Sequence, residues 1–142
     1  MRVIDVLEWC YYIFFRKHDL RDPVSRLLAP LPHDTTILDF GGGDGRVTTL
    51  RLDARWIVAD VDSGALRNVP RGDRVAAILV DSQPPYPFQD GRFSTILLVD
   101  VLHHLAHPVE TLAALASDVR TTLVGSITPA FTRSSNLSVK AL

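Results

Sequence analysis

A loop with four glycines stands between an apolar run and a helix-like run, and it constrains the fold more than any other stretch. Residues 37–46 read Ile-Leu-Asp-Phe-Gly-Gly-Gly-Asp-Gly-Arg. Glycine lets the backbone adopt positive φ and come close to a bound ligand. A strand, a glycine turn and a helix in this order allow a parallel sheet to hold a nucleotide-like ligand. The loop therefore predicts an α/β fold with a ligand at this turn.

Two common kinds of glycine loop do not fit this stretch. The dinucleotide pattern Gly-x-Gly-x-x-Gly, started at Gly41, requires a glycine at position 46, where the chain has Arg46. The chain has no Gly-Lys-Ser/Thr sequence, which excludes a P-loop. A tight strand-to-helix turn that binds nothing remains the plain alternative.

Composition favours a small domain in a reducing compartment. A chain of 142 residues can bury one core. The net charge of -1 gives no electrostatic reason to expect a nucleic acid partner. The single cysteine, Cys10, excludes an internal disulfide and a cysteine zinc site, and it fits the cytoplasm. The apolar run 9–15 is too short to span a bilayer and lacks the features of a signal peptide.

Apolar runs alternate with helix-like stretches, which predicts βαβ units in a Rossmann-like, doubly wound sheet, mostly parallel, with helices on both faces. We expect one domain with an N-terminal helical segment (1–34), a core (35–127) and an irregular tail (128–142). The predicted strands are Thr36–Phe40, Trp56–Ala59, Val75–Val80, Phe93–Asp100 and Thr122–Ile127. The predicted helices are Val3–Lys17, one starting at Asp22-Pro23, one after the glycine loop, and Pro108–Leu115.

Acidic residues follow two of the predicted strands, at the sheet edge where ligands of open parallel sheets bind. Asp60 follows the second strand and Asp81 the third. A carboxylate offers two acceptor oxygens, so Asp60 suits the two hydroxyls of a ribose. Asp62 is a competing candidate, although a helix N-cap role suits Asp62 or Ser63 better.

These features together resemble the class I S-adenosylmethionine (SAM)-dependent methyltransferases, in particular small-molecule members of the type 11 kind. The pattern Asp39-x-Gly41-x-Gly43-x-Gly45, the spaced strand-end acids and the segment Asp100-x-Leu-His-His occur in the family's order. The resemblance covers Ile37 to about Leu115. It implies that SAM is the cofactor and that its methyl group goes to a small-molecule or lipid-like acceptor.

The resemblance also implies a role for each matching residue. Asp60 takes the place of the ribose acid, Asp81 that of the acid on the adenine amino group, and the segment ending at Asp100 lies beside the methionine part. The residues placed at the cofactor are Asp39, Gly41, Gly42, Gly43, Gly45, Asp60, Val61, Asp81, Ser82, Val99 and Asp100.

Paired histidines suggest either a metal site or a general base. Adjacent residues on a helix point about 100 degrees apart, so His103 and His104 are not expected to share a metal, and no metal site is predicted. His103 is the candidate catalytic residue. His104 is expected to be a buried, hydrogen-bonded core histidine, and His107 a loop residue.

The chain departs from the family pattern mainly at its end. Ser94 replaces a usual aspartate, and Ser117 to Thr122 stand in place of a proline-glycine turn. About fifteen residues follow the fifth strand, too few for a helix and two antiparallel strands. We therefore expect a shortened sheet with an exposed edge that invites self-association. A non-catalytic SAM-binding or partner-binding module is the alternative to an active methyltransferase.

Overall fold

The computed structural model describes residues 21–126. The chain divides into two compact units, Met1–Pro30 and Leu31–Leu142. In the first unit, helix α1 spans Arg21–Leu28, close to the start predicted at Asp22. The predicted helix Val3–Lys17 and the tail 128–142 lie outside the described residues. The organisation as one domain stays a prediction.

The second unit is built on a five-stranded sheet in the order β3-β2-β1-β4-β5. All four neighbouring pairs are parallel, which confirms the Rossmann-like α/β fold. The strands are β1 Thr36–Phe40, β2 Arg55–Asp60, β3 Val75–Leu79, β4 Phe93–Val99 and β5 Val119–Ser126. The absence of further antiparallel strands after β5 stays a prediction, because residues beyond 126 are outside the described part.

Short helices connect the strands. They are the 3-10 helix η1 Arg46–Leu50, helix α2 Ser63–Leu66, the 3-10 helix η2 Leu102–His104 and helix α3 Pro108–Asp118. Within residues 21–126, no helix has the length and apolar character needed to cross a bilayer.

The α-helix predicted directly after the glycine loop is wrong. The segment forms only η1, five residues long, and extended backbone follows at Arg51. The hydroxyls of Thr48 and Thr49 donate to the carbonyls of Gly45 and Arg46, three residues back, at 2.7 and 2.9 Å. Such side-chain bonds compete with the helical pattern, and β-branched residues have low helix propensity.

The boundary between α3 and β5 differs from the prediction. The helix continues to Asp118 instead of ending at Leu115, and the strand begins at once with Val119 instead of Thr122. No turn residue separates the two elements, so the local sequence does not mark where the helix ends and the strand begins. Pairing of β5 with β4 sets the start of the strand instead, since Phe93 pairs with Val119.

One face of the sheet holds the main apolar core. Leu38 and Phe40 of β1 and Ile96 and Leu98 of β4 are buried there with Leu115 of α3. The connector between β3 and β4 adds aromatic rings to this face. Its Tyr86 ring lies edge-on to Phe40 at 4.9 Å, and Phe88 lies edge-on to Phe93 at 5.2 Å. This packing fixes the connector without a helix.

The strand order reverses beside β1, which lies between β2 and β4. The carboxyl ends of β1 and β4 therefore flank the crevice where doubly wound sheets bind ligands. The glycine loop leaves β1 at that crevice, and the Asp100 segment leaves β4 at the same edge.

Candidate functional site

The glycine loop turns back over the end of β2. Gly41, Gly43 and Gly45 have φ of 74°, 55° and 70°, a region that favours glycine. The amides of Gly41 and Gly42 both donate to the carbonyl of Ala59, at 2.7 and 3.3 Å. These bonds anchor the loop between the strand it leaves and the neighbouring strand.

Two of the loop glycines are closed in by neighbours. A Cβ added at Gly41 would lie 2.2 Å from the Cγ2 atom of Val101, and one at Gly42 would lie 2.3 Å from Oδ2 of Asp39. The strand-end segment after β4 and the acid of β1 therefore pack directly against the loop backbone. These glycines are required by packing.

Gly43 differs from its neighbours because its side faces open space. A Cβ added there would meet no atom within 4 Å, while its φ of 55° is one that side chains rarely adopt. The backbone at this point is half-buried at a strand-end crevice and carries no side chain. Such a position can accept the close approach of a ligand.

Asp60 ties the loop to the end of β2. Its Oδ2 accepts a hydrogen bond from the amide of Gly43 at 2.8 Å, and its Oδ1 accepts one from the amide of Asp62 at 2.9 Å. Each carboxylate oxygen has a second lone pair that these bonds leave available. The carboxylate therefore lies beside the open loop position with acceptor capacity to spare.

Asp62 has a different role, which the sequence predicted. It is the N-cap of α2, and its Oδ1 accepts from the amides of Gly64 at 2.7 Å and Ala65 at 3.3 Å. These bonds satisfy two of the free amides at the start of the helix. The two competing acids are thus separated: Asp60 holds the glycine loop and Asp62 holds the helix.

Asp39 is buried below the loop at the end of β1. Its Oδ2 has no hydrogen-bond partner among the described residues. Burial, and then the nearby charges of Asp60 and Asp44, raise the pKa of Asp39 to about 7. A carboxyl in this position is partly protonated at neutral pH and responds to whatever charge enters the site.

Asp81 and Ser82 follow β3 and are exposed. The amide of Val80 donates to the carbonyl of Asp60 at 3.0 Å, so the ends of β2 and β3 lie side by side. Val61, directly after β2, is 59% exposed and offers apolar surface beside these strand ends. The predicted ribose and adenine positions therefore share one edge of the sheet.

The segment after β4 forms a second cluster. Asp100 has a φ of 58°, and its Oδ1 is buried without a hydrogen-bond partner among the described residues. The Nδ1 atom of His103 lies 3.8 Å from this oxygen, and both side chains are 42% exposed. Val99 ends the strand immediately before them.

Two expectations about the histidines are wrong. His104 is exposed, because η2 is a short 3-10 helix on the surface and does not turn this side chain into the core. The rings of His103 and His104 are also in contact, with centroids 3.9 Å apart, although we expected them to diverge. His107 lies in the turn before α3 as predicted. No group of three or more potential metal ligands is found in the part of the chain that the structure describes.

The structure brings the predicted residues together in two linked groups. Asp39, the glycines and Asp60 are joined by direct contacts, and Asp100 lies with His103 at the neighbouring strand end. Val101 links the groups because it packs on Gly41. Sequence reasoning missed Val101. Its position directly after Asp100 in the strand-end segment was the available signal.

The residues present fit a nucleoside cofactor such as SAM. The open backbone at Gly43 is a place that a Cβ would fill, and Asp60 beside it offers acceptors for hydroxyl groups. The unpaired buried oxygen of Asp100 supplies negative charge at the same crevice, which suits a cationic ammonium or sulfonium group. The carboxyl of Asp39, whose pKa is raised to about 7, ionises more fully when a cation enters the site.

Comparison with known proteins identifies the family and the fold. A family model described as a methyltransferase domain matches residues 12–124, which is more than half of the chain. No curated protein matches the sequence.

Three solved structures illustrate the likeness in fold. One is a Haloferax volcanii protein in complex with the Trm112 methyltransferase activator, with a TM-score of 0.67 at 20% identity, covering 83% of this chain and 58% of that one. A SAM-dependent methyltransferase from Aquifex aeolicus gives 0.60 at 18% identity, covering 74% and 64%. The cyclase SpnF gives 0.62 at 19% identity, covering 72% and 44%. At these identities the likeness concerns the fold alone.

The chain therefore spans between 44% and 64% of the length of these structures. SAM is the cofactor that accompanies the matched family and fold. With the family model matched over residues 12–124 and the parallel sheet and glycine loop in place, the chain belongs to the methyltransferase domain family, of the class I SAM-dependent type.

Proposed function

We propose that the chain binds SAM at the glycine loop and transfers its methyl group to a small-molecule or lipid-like acceptor. The observation that carries the proposal is the contrast within the loop. Gly41 and Gly42 are closed in by packed atoms, whereas Gly43 faces open space beside the carboxylate of Asp60. The single cysteine supports a cytoplasmic location as part of this proposal.

Each predicted residue has a proposed role at that site. Asp60 accepts hydrogen bonds from the ribose hydroxyls, with Val61 packing beside the base. Asp81 accepts from the adenine amino group, and the backbone at Ser82 meets a ring nitrogen. Val99, Asp100 and Asp39 surround the methionine part, while Gly41, Gly42, Gly43 and Gly45 supply the close backbone.

SAM, when bound, supplies an electrophilic methyl group on a sulfonium. The chain aligns an acceptor with that group and excludes water, and a weak nucleophile also needs a base to take its proton. We propose His103 as that base. The Asp100 carboxylate lies 3.8 Å from its Nδ1, at the strand end where the methionine part is proposed to bind.

Turnover with a panel of phenol, alcohol, amine and carboxylate acceptors tests this function. His103→Gln should lower kcat by about 100-fold or more for alcohols, which need a base, and far less for acceptors that are already nucleophilic. His104→Gln is the matched control, because it removes the neighbouring ring and leaves the contact with Asp100 intact. Equal effects of the two substitutions on every acceptor would remove His103 from the mechanism.

A non-catalytic SAM-binding or partner-binding module is the second candidate. One structural neighbour was solved in complex with a methyltransferase activator, and another is named as a cyclase. The chain also matches only part of the length of these neighbours. Binding of S-adenosylhomocysteine without turnover on any acceptor class would favour this candidate, whereas turnover would exclude it.

A further inference from the structure

A cavity of about 370 Å³ lies at the amino ends of strands β1 to β4. The glycine loop lies at the opposite, carboxyl ends of the strands. The strands here are five to seven residues long. At about 3.3 Å per residue, the rim of the cavity at Thr36 and Arg55, five residues before Gly41 and Asp60, is roughly 17 Å from the loop. A group bound at this rim lies away from the proposed methyl-transfer site, so the cavity needs a separate explanation.

Polar side chains form a row across the wall of this cavity. Thr36 on β1 pairs with Arg55 on β2. Trp56 and Val75 are the first paired residues of β2 and β3, so Arg74 lies beside Arg55, one residue earlier on each strand. The carbonyl of Arg74 accepts from the amide of Trp56 at 2.7 Å. On the other side, the pairing of Ile37 with Thr95 places Ser94 beside Thr36. Side chains at paired positions of parallel strands share one face, so the row faces the cavity.

The charge of the cavity wall is mainly positive. Three guanidinium groups line it, from Arg55, Arg74 and Arg92, against the single carboxylate of Asp73. Arg74 also donates to Oδ1 of Asp34 at 2.5 Å, which holds the pKa of Asp34 below its usual range.

Two of the three arginines have guanidinium N–H groups that are available to bind a ligand. The side chains of Arg55 and Arg92 are exposed, and neither makes a hydrogen bond or salt bridge to another residue in the described part, 21–126. The field of Arg55 reaches Asp34 only at longer range. Two guanidinium groups and two hydroxyls therefore face the same space with donors to offer.

The next row along the strands is apolar. Ile57 pairs with Ala76 on the same face, and both line the cavity. Polar donors at the rim and apolar atoms deeper on the sheet suit a ligand that has an anionic end and a carbon part. A bare inorganic ion would use only the first of these features.

We propose that this cavity is a second ligand site that binds the phosphate group of a small molecule. Arginine matches phosphate because its planar fork donates two parallel hydrogen bonds to two phosphate oxygens, and these charge-assisted bonds are among the strongest in proteins. Hydroxyls of Thr36 and Ser94 supply the further donors that a doubly charged phosphate accepts. The site acts at a distance from the methyl-transfer chemistry and does not depend on the proposed function.

Calorimetric titration and thermal unfolding of the full chain with inorganic phosphate, pyrophosphate and phenyl phosphate test the proposal. Sodium chloride at matched ionic strength controls for screening. The variant Arg55→Gln with Arg92→Gln removes the two available guanidinium groups. Arg71→Gln is the matched control, since Arg71 is an exposed arginine outside the cavity wall.

We expect phosphate compounds to raise the unfolding temperature of the wild-type chain and of Arg71→Gln, with phenyl phosphate binding more tightly than inorganic phosphate. The double variant should bind at least about tenfold more weakly, the loss of one or two charge-assisted bonds. S-adenosylhomocysteine binding should be unchanged in all three proteins. Equal binding by the double variant and the wild type would overturn the site. Binding of a short oligonucleotide with no response to the three small phosphates would overturn the small-molecule assignment.

Discussion

Two neighbouring acids at the end of β2, Asp60 and Asp62, have different roles: the first is proposed to bind the ligand, and the second caps a helix. Asp60→Ala should weaken S-adenosylhomocysteine binding by roughly 1.5–3 kcal/mol, the range for hydrogen bonds to a charged group. Asp62→Ala should instead lower the free energy of unfolding by about 1 kcal/mol, because it removes the N-cap of α2. Calorimetry gives the first quantity and urea unfolding the second. The reverse order of the two binding losses would assign the ribose to Asp62.

Asp60→Asn separates lost charge from lost loop structure. Asparagine keeps one oxygen that can accept from the amide of Gly43, so the loop is held while the carboxylate is removed. The bond from the amide of Asp62 is lost, because the asparagine NH2 group is a donor. If Asp60→Asn unfolds like the wild-type chain and still binds S-adenosylhomocysteine normally, Asp60 is a structural residue only.

The buried carboxyl of Asp39 makes stability depend on pH. Its pKa is about 7 in the folded chain against an ordinary value of 3.8, so the folded state keeps a proton that the unfolded chain loses. The contribution of Asp39 to the free energy of unfolding is therefore largest below about pH 4, and it falls by about 1.4 kcal/mol per pH unit up to about pH 7. Above that pH the contribution no longer changes.

Asp39→Asn removes this titration with little change in shape. Urea unfolding between pH 4 and 8 measures the free energy of unfolding of both proteins. As pH rises, this free energy should fall in the wild-type chain relative to Asp39→Asn, with the largest difference at pH 7 and above. Parallel curves for the two proteins over this range would mean that Asp39 is charged in the folded state throughout.

At the scale of elements, the sequence predicted what depends on local patterns. Strand β1 has the predicted bounds, and β3 and β4 differ by one residue at their ends, because apolar runs and turn residues mark them. The α-helix predicted after the loop does not form, and the sequence did not show this because the back-bonding of Thr48 and Thr49 is not visible in an apolar pattern. The start of β5 was missed because its pairing with β4 sets it.

In the candidate site, too, the sequence predicts what depends on local patterns and does not predict what depends on tertiary contacts. The loop glycines and Asp60 could be located from the sequence, because a glycine cluster and a strand-end acid are local signals. The exposure of His104 could not, since it depends on η2 being a single 3-10 turn. The contact of Val101 with Gly41 joins residues sixty positions apart and follows only from the strand order.

For the whole molecule, both edges of the sheet bear on association. In the described part, β3 and β5 form the two edges, and Leu79 on β3 is 58% exposed. Exposed apolar edges invite pairing with another chain. We predict self-association in sedimentation experiments, or low thermal stability that S-adenosylhomocysteine partly restores by binding only the folded form.

Leu79→Lys tells the two edges apart. A charge on β3 opposes pairing there and leaves β5 unchanged. Association lost in this variant assigns the β3 edge, and association retained assigns β5. A wild-type chain that is monomeric and highly stable, with no response to S-adenosylhomocysteine, would contradict the prediction.

Calorimetric titration of S-adenosylhomocysteine into the wild-type chain and Gly43→Val tests whether the chain binds SAM at the glycine loop. We expect single-site binding by the wild type and none by Gly43→Val, because the branched side chain fills the space beside Asp60 and opposes the φ of 55°. Gly72→Val is the control, since a Cβ there also meets no atom within 4 Å and the φ of Gly72 is not in the left-handed range. It should bind like the wild type. Wild-type affinity in folded Gly43→Val, or no binding by the wild-type chain, would contradict SAM binding at this loop.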